Sequence, residues 1–291
     1  MTEQAIFVDH TEPAWAINQR EVAINALLYA ALVVAVFITL VPVFLMVITA
    51  FKSPAEIAAV NFWPPQEWRW QNFVQALSIA PFGRYFVNTL IIAFGVTILH
   101  TFFSALMAFA FARLRFPGRE VIFLLFLATF MIPAQVTIIP QFILVKYLGW
   151  IDTFQGIVLP QVFTAFGTFF LRQSFLTIPR ELDEAAHIDG CSRFGIFWRM
   201  VLPLSMPAIA TLMAFSVLFH WNNLLWPLIV SNSDATTPIA AGLGRFTGQA
   251  GTSWHLLMAA ATMSALPTIV VFVIAQRFFV RGVMLSGFGG R

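Results

Sequence analysis

Six long apolar segments constrain the fold of this 291-residue chain more than any other feature. They cover about residues 25–50, 87–112, 120–144, 154–172, 204–229 and 255–280. A helix needs about 20 mostly apolar residues to cross the hydrocarbon core of a bilayer. Only 10% of the residues are charged, so a soluble helical bundle would have too little polar surface. The sequence therefore predicts an all-α integral membrane protein with six transmembrane helices.

Lysines and arginines in the connecting segments indicate the orientation, because cytoplasmic loops carry an excess of them. Six spans place both chain ends on one side. That side would hold eleven basic residues: Arg20, Arg113, Arg115, Arg119, Arg172, Arg180, Arg193, Arg199, Arg277, Arg281 and Arg291. The other side would hold Lys52, Arg69, Arg84, Lys146 and Arg245. We therefore expect a transmembrane domain at 25–285 with cytoplasmic tails at 1–24 and 286–291.

Two segments on the outer side are long enough to meet another molecule. Residues 51–86 contain paired prolines and several tryptophans, and residues 230–254 are rich in Ser, Thr and Gly. The first segment is either an interfacial aromatic belt or a partner-binding surface. The second is either a flexible connector or a partner-binding surface.

The absence of several sequence motifs excludes some classes of function. A phosphate-binding loop needs Gly before its Lys, but Phe51 and Val145 precede the only two lysines. No metal-ligand spacing or hydrolase motif occurs, and all thirteen acids lie in loops, tails or span edges. Only His100 and His220 are ionisable side chains well inside the predicted spans; such a histidine is more often a hydrogen-bonded core residue than a proton relay. We expect no enzyme, no resident cofactor or metal and no nucleic-acid partner, but a channel or carrier energised by another subunit.

Charge is concentrated between the fourth and fifth spans, where Glu181, Asp183, Glu184 and Asp189 fall within nine residues. Pro179 suits the first turn of a short helix, whose N-terminus favours negative charge. We expect Gly190 to end this helix and Ser192 to cap a second one. One side of the first helix would carry Leu182, Ala185, Ala186 and Asp189, and the second would be apolar through Phe194, Ile196, Phe197 and Trp198. Spacing alone leaves two interpretations open: a membrane-surface hairpin that only links two spans, or a docking element.

The same stretch reads EAAHIDGCSRFGIFWRMVLPLSMP, and it resembles the signature loop of binding-protein-dependent ABC importer permeases. The matching positions are Glu184, Ala185, Ala186, Asp189, Gly190, Leu202 and Pro203. Further segments resemble the carbohydrate-uptake subclass, among them FKSPAEI, FGRYFVNTLIIA, AFARLRFPGR and WNNLLWPLIV. The resemblance covers nearly all of residues 25–285 and is closest to the maltose-type permease subunit without an extra N-terminal span. Cys191, where the family usually has a small residue such as Ala, and the C-terminal LSGFGGR depart from the family pattern.

The resemblance implies a type I ABC importer permease fold in a bacterial or archaeal cytoplasmic membrane, surrounded by lipid. It implies a heterodimer with a second homologous permease, two ATPase subunits that bind ATP and Mg, and an external solute-binding protein. The first short helix would be the coupling helix, seated in the ATPase subunit. Residues implied in coupling are Glu181, Leu182, Glu184, Ala185, Ala186, Asp189, Gly190, Phe194, Leu202 and Pro203.

Aromatic and amide side chains are the groups that bind sugars, and several lie near the predicted fifth span. The candidates for the substrate pathway are His220, Trp221, Asn222, Asn223 and Trp226, with Gln135, Gln141 and Gln161 as weaker ones. The tryptophans are also typical of a membrane interface. We expect the two asparagines to face the interior, where they touch substrate, line a gate or join helices. The solute would be a sugar or a sugar-like compound, such as an oligosaccharide or a glycerol phosphate. The alternatives are an importer of another solute, an ion-coupled carrier and a non-transporting scaffold.

Overall fold

The structure, a computed structural model, describes residues 19–59, 62–248 and 251–287. These residues are helical apart from loops and one antiparallel hairpin, in which Thr247–Gly248 pairs with Gly251–Thr252. The predicted N-terminal tail lies outside the described residues up to residue 18, and the predicted C-terminal tail does so from residue 288.

Three helices are long and apolar enough to cross a membrane unbroken: α1 (Gln19–Ala50), α4 (Phe82–Arg113) and α15 (Trp254–Gly287). Two short helices, α2 (Pro54–Ala58) and α3 (Gln71–Ile79), lie between α1 and α4. A 32-residue helix is about 48 Å long, which exceeds the roughly 30 Å hydrocarbon core.

Three further candidate spans are bent pairs of helical segments, so the described residues hold up to six spans. The pairs are α5 (Arg119–Ala128) with α6 (Ala134–Tyr147), α7 (Phe154–Val158) with α8 (Ala165–Leu176), and the segment Arg193–Leu204 with α12 (Met206–Trp221). Their bends are 99°, 48° and 77°. Short 3-10 turns, Thr129–Met131 and Leu159–Gln161, extend α5 and α7 towards their bends.

The 99° bend divides the predicted third span at 120–144. It lies at Pro133, whose ring cannot donate a helical hydrogen bond and which disfavours helical geometry at Ile132. Ile132 accordingly has extended backbone, with ψ of 117°. The predicted fifth span at 204–229 is also divided, because α12 ends at Trp221 and α13 (Leu225–Val230) follows a break.

The remaining elements lie in the two main connections. Between α8 and α12 they are α9 (Arg180–Ile188), α10 (Arg193–Ile196), a π-helical turn (Phe197–Val201) and α11 (Leu202–Leu204). Between α13 and α15 they are α14 (Ile239–Gly242) and a 3-10 turn (Leu243–Phe246), followed by the hairpin.

Helix α4 is the centre of the packing, with α8 and α12 against it. Its buried face carries small residues, including Ala93, Ser104, Ala105 and Ala108. Small side chains let membrane helices approach closely, because lipid supplies no hydrophobic drive between them. Helix α1 packs mainly against α15 and otherwise presents exposed apolar side chains, as expected of a lipid-facing helix.

Asp152 holds the start of segment 230–254, which is predicted to lie on the outer side of the membrane and is called the outer segment here. Its carboxylate accepts hydrogen bonds from the backbone of Asn232 and Ser233 at 3.0 and 3.1 Å and from the Thr236 hydroxyl at 2.5 Å. Partial burial raises the pKa of Asp152, but hydrogen bonds from Ser233, Thr236 and Asn232 outweigh burial and lower it to about 2.

Helix α4 holds the next part of this segment. The Tyr85 hydroxyl donates to the Asp234 carboxylate at 2.5 Å, and the Asn88 amide donates to the Thr237 carbonyl at 2.9 Å. The Thr89 hydroxyl accepts from the backbone of Ile239 at 2.9 Å. The outer segment is therefore anchored between residues 231 and 239, which does not fit the interpretation of a flexible connector there.

The first outer segment has an aromatic cluster. The ring of Phe51 lies 4.9 Å from Trp68, 4.7 Å from Trp70 and 5.0 Å from Phe73. Both Trp68 and Trp70 remain largely exposed. The structure is therefore compatible with both interpretations of this segment, a membrane-interface belt and a surface for an outside partner.

Candidate functional site

Helix α9 has defined ends. Pro179 is its N-cap residue rather than part of its first turn, and Glu181 and Asp183 lie in that turn. Gly190 has a φ of 78°, the left-handed conformation expected from the sequence. The backbone N–H of Gly190 donates to the backbone carbonyl of His187 at 3.1 Å, and that of Cys191 donates to the backbone carbonyl of Ala186 at 2.9 Å. This pair of bonds is a Schellman motif, which sets the turn between α9 and the next helix.

The second short helix also starts as predicted. The Ser192 hydroxyl accepts from the backbone N–H of Gly195 at 3.1 Å, which caps α10. Ile196 and Phe197 are buried, whereas Phe194 and Trp198 are exposed. The π-helical turn over Phe197–Val201 carries one extra residue per turn, so it rotates the side chains that follow it.

The faces of α9 differ from the prediction. Ala186 packs against the apolar cluster formed by α4, α8 and the π-helical turn, while Ala185 is exposed. Consecutive helical residues are about 100° apart, so the protein can cover Ala186 while Ala185 stays exposed. The outward side instead carries Glu181, Glu184, Ala185 and Ile188.

Ile188, which was not predicted as a site residue, is 87% exposed. Its spacing of four residues from Glu184 and three from Ala185 is the signal that could have identified it. The other predicted coupling residues differ in exposure. Leu182, Asp189, Phe194 and Pro203 are exposed, and Leu202 is half-buried against the apolar cluster.

Arg113, the last residue of α4, fastens α9 to the spans. Its guanidinium donates to the Asp183 carboxylate at 3.0 Å and to the carbonyls of Phe175 and Ile178 at 2.7 and 2.8 Å. The Arg113 side chain is only 4% exposed. One buried cation thus joins α4, the C-terminal end of α8 and the first turn of α9. Asp183 therefore faces the protein and does more than favour the helix N-terminus.

A cavity of about 920 Å³ lies beside the bend between α5 and α6. The residues that line it come from α4, the α5–α6 bend, the start of α8 and α12: His100, Thr129, Phe130, Ile132, Pro133, Ala134, Thr137, Phe163, Thr164, Ala165, Phe166, Leu212, Phe215, Ser216, Phe219 and His220. Small-molecule sites typically measure about 300–1,000 Å³ and combine apolar walls with a few polar groups. The bend at Pro133 forms one side of this cavity.

Polar groups line one wall of this cavity. The ring nitrogens of His100 lie 2.7 Å from the Thr164 hydroxyl and 3.3 Å from the Ser216 hydroxyl, and Thr97 donates to Ser216 at 3.0 Å. A side-chain carbon at Gly167 would clash with His100 and Ser104, so glycine is needed where α8 crosses α4. His220 is 7% exposed, and its Nδ1 has no hydrogen-bond partner among the described residues.

Of the predicted substrate-pathway residues, only His220 lines this cavity. Trp221 and Trp226 are 4% and 5% exposed, which contradicts the interpretation of an interfacial belt. Trp221 meets the ring of Phe86 edge-on, and the Trp226 indole donates to the Ile157 carbonyl at 3.2 Å. Both rings therefore pack between helices.

The predicted amides mostly join helices. The side-chain amide of Asn223 donates to the side-chain carbonyl of Gln161 at 2.5 Å, and the Gln161 amide donates to the backbone carbonyl of Ile157 at 2.8 Å. Asn222 is exposed and bonds within its own helix, to Leu218. The Gln141 amide donates to the Pro160 carbonyl at 3.1 Å. Gln135 is exposed on α6 and is not part of the cavity wall.

Thr164 and Ser216 were not predicted as site residues. The available signal was a polar row on α4, where Thr97, His100 and Ser104 recur at helical spacing within an apolar span. Such a row indicates an interior face, and hence partners on neighbouring helices. The sequence does not indicate which neighbours these are. No group of three potential metal ligands occurs among the described residues.

Comparison with known proteins gives consistent matches. Residues 100–285 match the family model described as "Binding-protein-dependent transport system inner membrane component". The arabinooligosaccharides transport system permease protein AraQ of Bacillus subtilis is 32% identical over 86% of this chain and 91% of its own length. The sn-glycerol-3-phosphate transport system permease protein UgpE of Yersinia enterocolitica is 32% identical over 89% of this chain and 95% of its own length.

A solved structure has the same fold. It is a chain of a bacterial ABC transporter involved in import of the acidic polysaccharide alginate, with a TM-score of 0.78 and 22% identity. The match covers 89% of this chain and 98% of that chain.

Proposed function

The chain belongs to the family of binding-protein-dependent transport system inner membrane components, and we propose that residues 179–203 couple it to an ATPase subunit. It is a multi-pass inner-membrane permease subunit of an ABC importer, a family whose permease subunits are not catalytic. Energy must therefore reach the membrane helices through contact with a partner subunit. The observation that carries the proposal is the exposed face of α9 held to the spans by Arg113.

The geometry of α9 supports this role. Its outward side presents two carboxylates, Glu181 and Glu184, around the exposed Ile188. Its inward side is fixed by the Arg113–Asp183 ion pair and by the packing of Ala186. A partner that moves the outward side also moves the ends of α4 and α8. Interfaces are bistable rather than continuously deformable, so closure of the ATPase pair can shift the spans as rigid bodies.

The cavity of about 920 Å³ beside the α5–α6 bend, called the central cavity below, supports a neutral sugar as the solute. Its polar groups are the hydroxyls of Thr129, Thr137, Thr164 and Ser216 and two histidine rings, and no Lys, Arg, Asp or Glu lines it among the described residues. Aromatic rings form the rest of the wall. Such rings can pack against the C–H faces of a sugar, while the polar groups bind its hydroxyls. Oligosaccharide and glycerol phosphate permeases are both relatives of this chain. The uncharged wall favours the former, and a permease for another class of solute is the alternative.

The assembly that we propose contains a second homologous permease, two ATPase subunits that bind ATP and Mg, and an external binding protein that delivers the solute. The cavity would then face the second permease, with half of the translocation pathway on each chain. Both termini and α9 would lie in the cytoplasm, because the predicted topology gives that side eleven of the sixteen basic residues.

Coupling can be tested in the reconstituted transporter with Glu184→Lys and Gly190→Val. Glu184→Lys reverses a charge on the proposed contact, and Gly190→Val strains the left-handed turn that orients α9. We expect at least about a tenfold loss of uptake and of ATPase stimulation by loaded binding protein, as for a contact of about 1.4 kcal/mol. Insertion in the membrane should be normal.

Two control variants separate coupling from general damage. Gly149 has a φ of 70° and no atoms within 4 Å of an added Cβ, as at Gly190, so Gly149→Val imposes a similar strain away from α9. Glu67→Lys makes the same charge reversal at an exposed position of the first outer segment. Normal uptake by either α9 variant, at equal expression, would refute the assignment.

A further inference from the structure

Three arginines line a cavity of about 490 Å³ that borders the start of the proposed coupling segment 179–203 and is separate from the cavity beside the α5–α6 bend. Arg115 lies in the connection between α4 and α5, Arg119 is the first residue of α5, and Arg180 is the first residue of α9. Each lies within four residues of the end of α4, α5 or α8. The cavity is therefore at the depth where membrane-spanning helices meet lipid headgroups.

The positive charge in this cavity is not neutralised within the described residues. Glu120 is the one acidic residue that lines it, and Glu120 already pairs with Arg119 at 2.6 Å and with Arg172 at 3.3 Å. No ion pair or hydrogen bond involves the side chains of Arg115 and Arg180 among the described residues. Arg115 also borders a second cavity that contains Asp183 and Glu184, but Asp183 is engaged by Arg113.

Apolar surface continues from the cavity along α5. Val121 lines the cavity and is exposed, and Leu124 and Leu125 are exposed further along the same helix. A ligand that bears both a phosphate and a hydrocarbon chain matches this arrangement. Guanidinium groups bind phosphate oxygens in pairs, and basic pockets between membrane helices bind anionic headgroups.

We propose that Arg115, Arg119 and Arg180 form a binding site for the phosphate headgroup of an anionic phospholipid, whose acyl chains lie along α5. Free phosphate shares the headgroup chemistry, but the exposed leucines of α5 favour the lipid. The site adjoins α9, so a bound lipid would stiffen the start of this helix. The proposed site depends neither on the identity of the solute nor on the docking of the ATPase.

The test uses the full-length chain in detergent, titrated with phosphatidylglycerol and, separately, with phosphatidylcholine of the same acyl chains. Native mass spectrometry records the first lipid bound to wild type, Arg115→Gln, Arg180→Gln and the double variant. Arg199→Gln is the matched control, because it removes one exposed arginine outside the cavity. Both test arginines are exposed and unpaired among the described residues, so their variants should fold, which thermal unfolding checks.

We expect phosphatidylglycerol to bind wild type and Arg199→Gln at lower concentration than phosphatidylcholine. Each test substitution should raise the half-saturating concentration about fivefold, which corresponds to about 1 kcal/mol per basic residue. Equal binding of the two lipids to wild type, or unchanged binding to the double variant, would overturn the proposal.

Two further results would also overturn it. Displacement of the lipid by millimolar inorganic phosphate alone would assign the arginines to a free anion. Loss of ATPase co-purification by the double variant, with unchanged lipid binding, would assign them to an acidic surface of the ATPase.

Discussion

At the scale of single residues, the two histidines in the wall of the central cavity differ in their hydrogen bonding. His100 is satisfied by hydroxyls from two neighbouring helices, at Thr164 and Ser216. His220 is equally buried, but its Nδ1 has no partner among the described residues. A buried polar atom without a partner costs about 1–3 kcal/mol, so we propose that a bound solute or a water satisfies this nitrogen.

The first prediction concerns His220→Leu, which replaces the ring with an apolar group of similar size. We expect unchanged or higher thermal stability, because the unpaired nitrogen is removed. The KM for uptake should rise about tenfold, as for a lost hydrogen bond of about 1.4 kcal/mol, while coupled ATPase activity persists.

Solute uptake and thermal unfolding are measured together with His255→Leu, which makes the same change outside the cavity. Unfolding of the His220 variant, or an unchanged KM, would contradict the ligand contact. A similar KM change in the His255 variant would show that the effect is not specific to the cavity.

At the scale of elements, Arg113 links α4 to α8 and α9, through partners 62 to 70 residues later in the sequence. Its partners are a carboxylate on α9 and two carbonyls at the end of α8. Removal of one partner from a buried ion pair is strongly destabilising, because the other charge stays without compensation. The clamp therefore makes α9 an extension of the spans rather than a loose loop.

The second prediction tests this clamp with Arg113→Gln, Asp183→Asn and the double variant. Arg113→Gln should destabilise the α9 region by about 3 kcal/mol, and Asp183→Asn by less, since Arg113 keeps its bonds to the carbonyls. The double variant should resemble Arg113→Gln alone, because the two residues share one interaction. Hydrogen exchange of the α9 amides measures these effects, and additive losses would contradict a shared clamp.

The third prediction concerns Asp152, which is held ionised by the 232–236 loop. Its pKa of about 2 is below the ordinary value of 3.8, so its contribution to stability is present above pH 3.8. This contribution is lost as pH falls from 3.8 through about 2. Asp152→Asn keeps a residue that tolerates the observed φ of 58° but removes the charge.

Hydrogen exchange at Asn232 and Ser233 should be faster in Asp152→Asn than in wild type near neutral pH. The difference should shrink as pH falls through the pKa of about 2, because a growing fraction of the wild-type carboxyl is then protonated. Equal exchange in the two proteins at neutral pH would contradict the role of this carboxylate.

At the scale of the whole molecule, α4 joins the two sites. Arg113 at its end holds α9, and His100 lies thirteen residues earlier, about 20 Å along the helix, in the cavity wall. Helix α8 makes the same connection, from Thr164 at its N-cap to Phe175 near its end. A displacement of α9 would therefore be applied to two of the helices that line the cavity.

The fourth prediction tests the orientation of the molecule by cysteine labelling. Cys191 is the only cysteine, so Cys191→Ser gives a cysteine-free background. Ile188→Cys and Tyr147→Cys introduce thiols at positions that are 87% and 88% exposed.

A membrane-impermeant maleimide should label the Ile188→Cys variant only in inverted membrane vesicles, and the Tyr147→Cys variant only in right-side-out ones. The permease is labelled without its ATPase subunit, so that α9 stays accessible. Labelling of both positions from one side would refute the proposed topology.

Much of the fold could be predicted because membrane insertion is decided locally. Each apolar segment must satisfy its own backbone hydrogen bonds in lipid, so its composition is enough to predict a helix. Helix ends were predictable for the same reason: Gly190 and Ser192 act on backbone groups a few residues away. The permease family followed from an ordered motif with a defined spacing.

The candidate site could be predicted only in part. The sequence singled out His220 but not its setting, and it assigned Trp226 to a substrate surface, whereas the indole is buried against Ile157. It also placed Ala185 and Ala186 on one exposed face of α9, whereas the packing of the spans partly covers Ala186 and leaves Ala185 exposed. Helix periodicity states which residues share a side, but not which side the neighbouring helices cover.

The sequence by itself thus determined the apolar spans, the helical class, the turn at Gly190, the cap of α10 and the family. Only the tertiary structure decided the 99° bend that helps to form the cavity, the polar wall around His100 and the clamp at Arg113. The physical reason is the distance along the chain over which each interaction acts. Hydropathy and capping act within one segment, whereas Arg113 and Asp183 are brought together across 70 residues by the packing of whole helices.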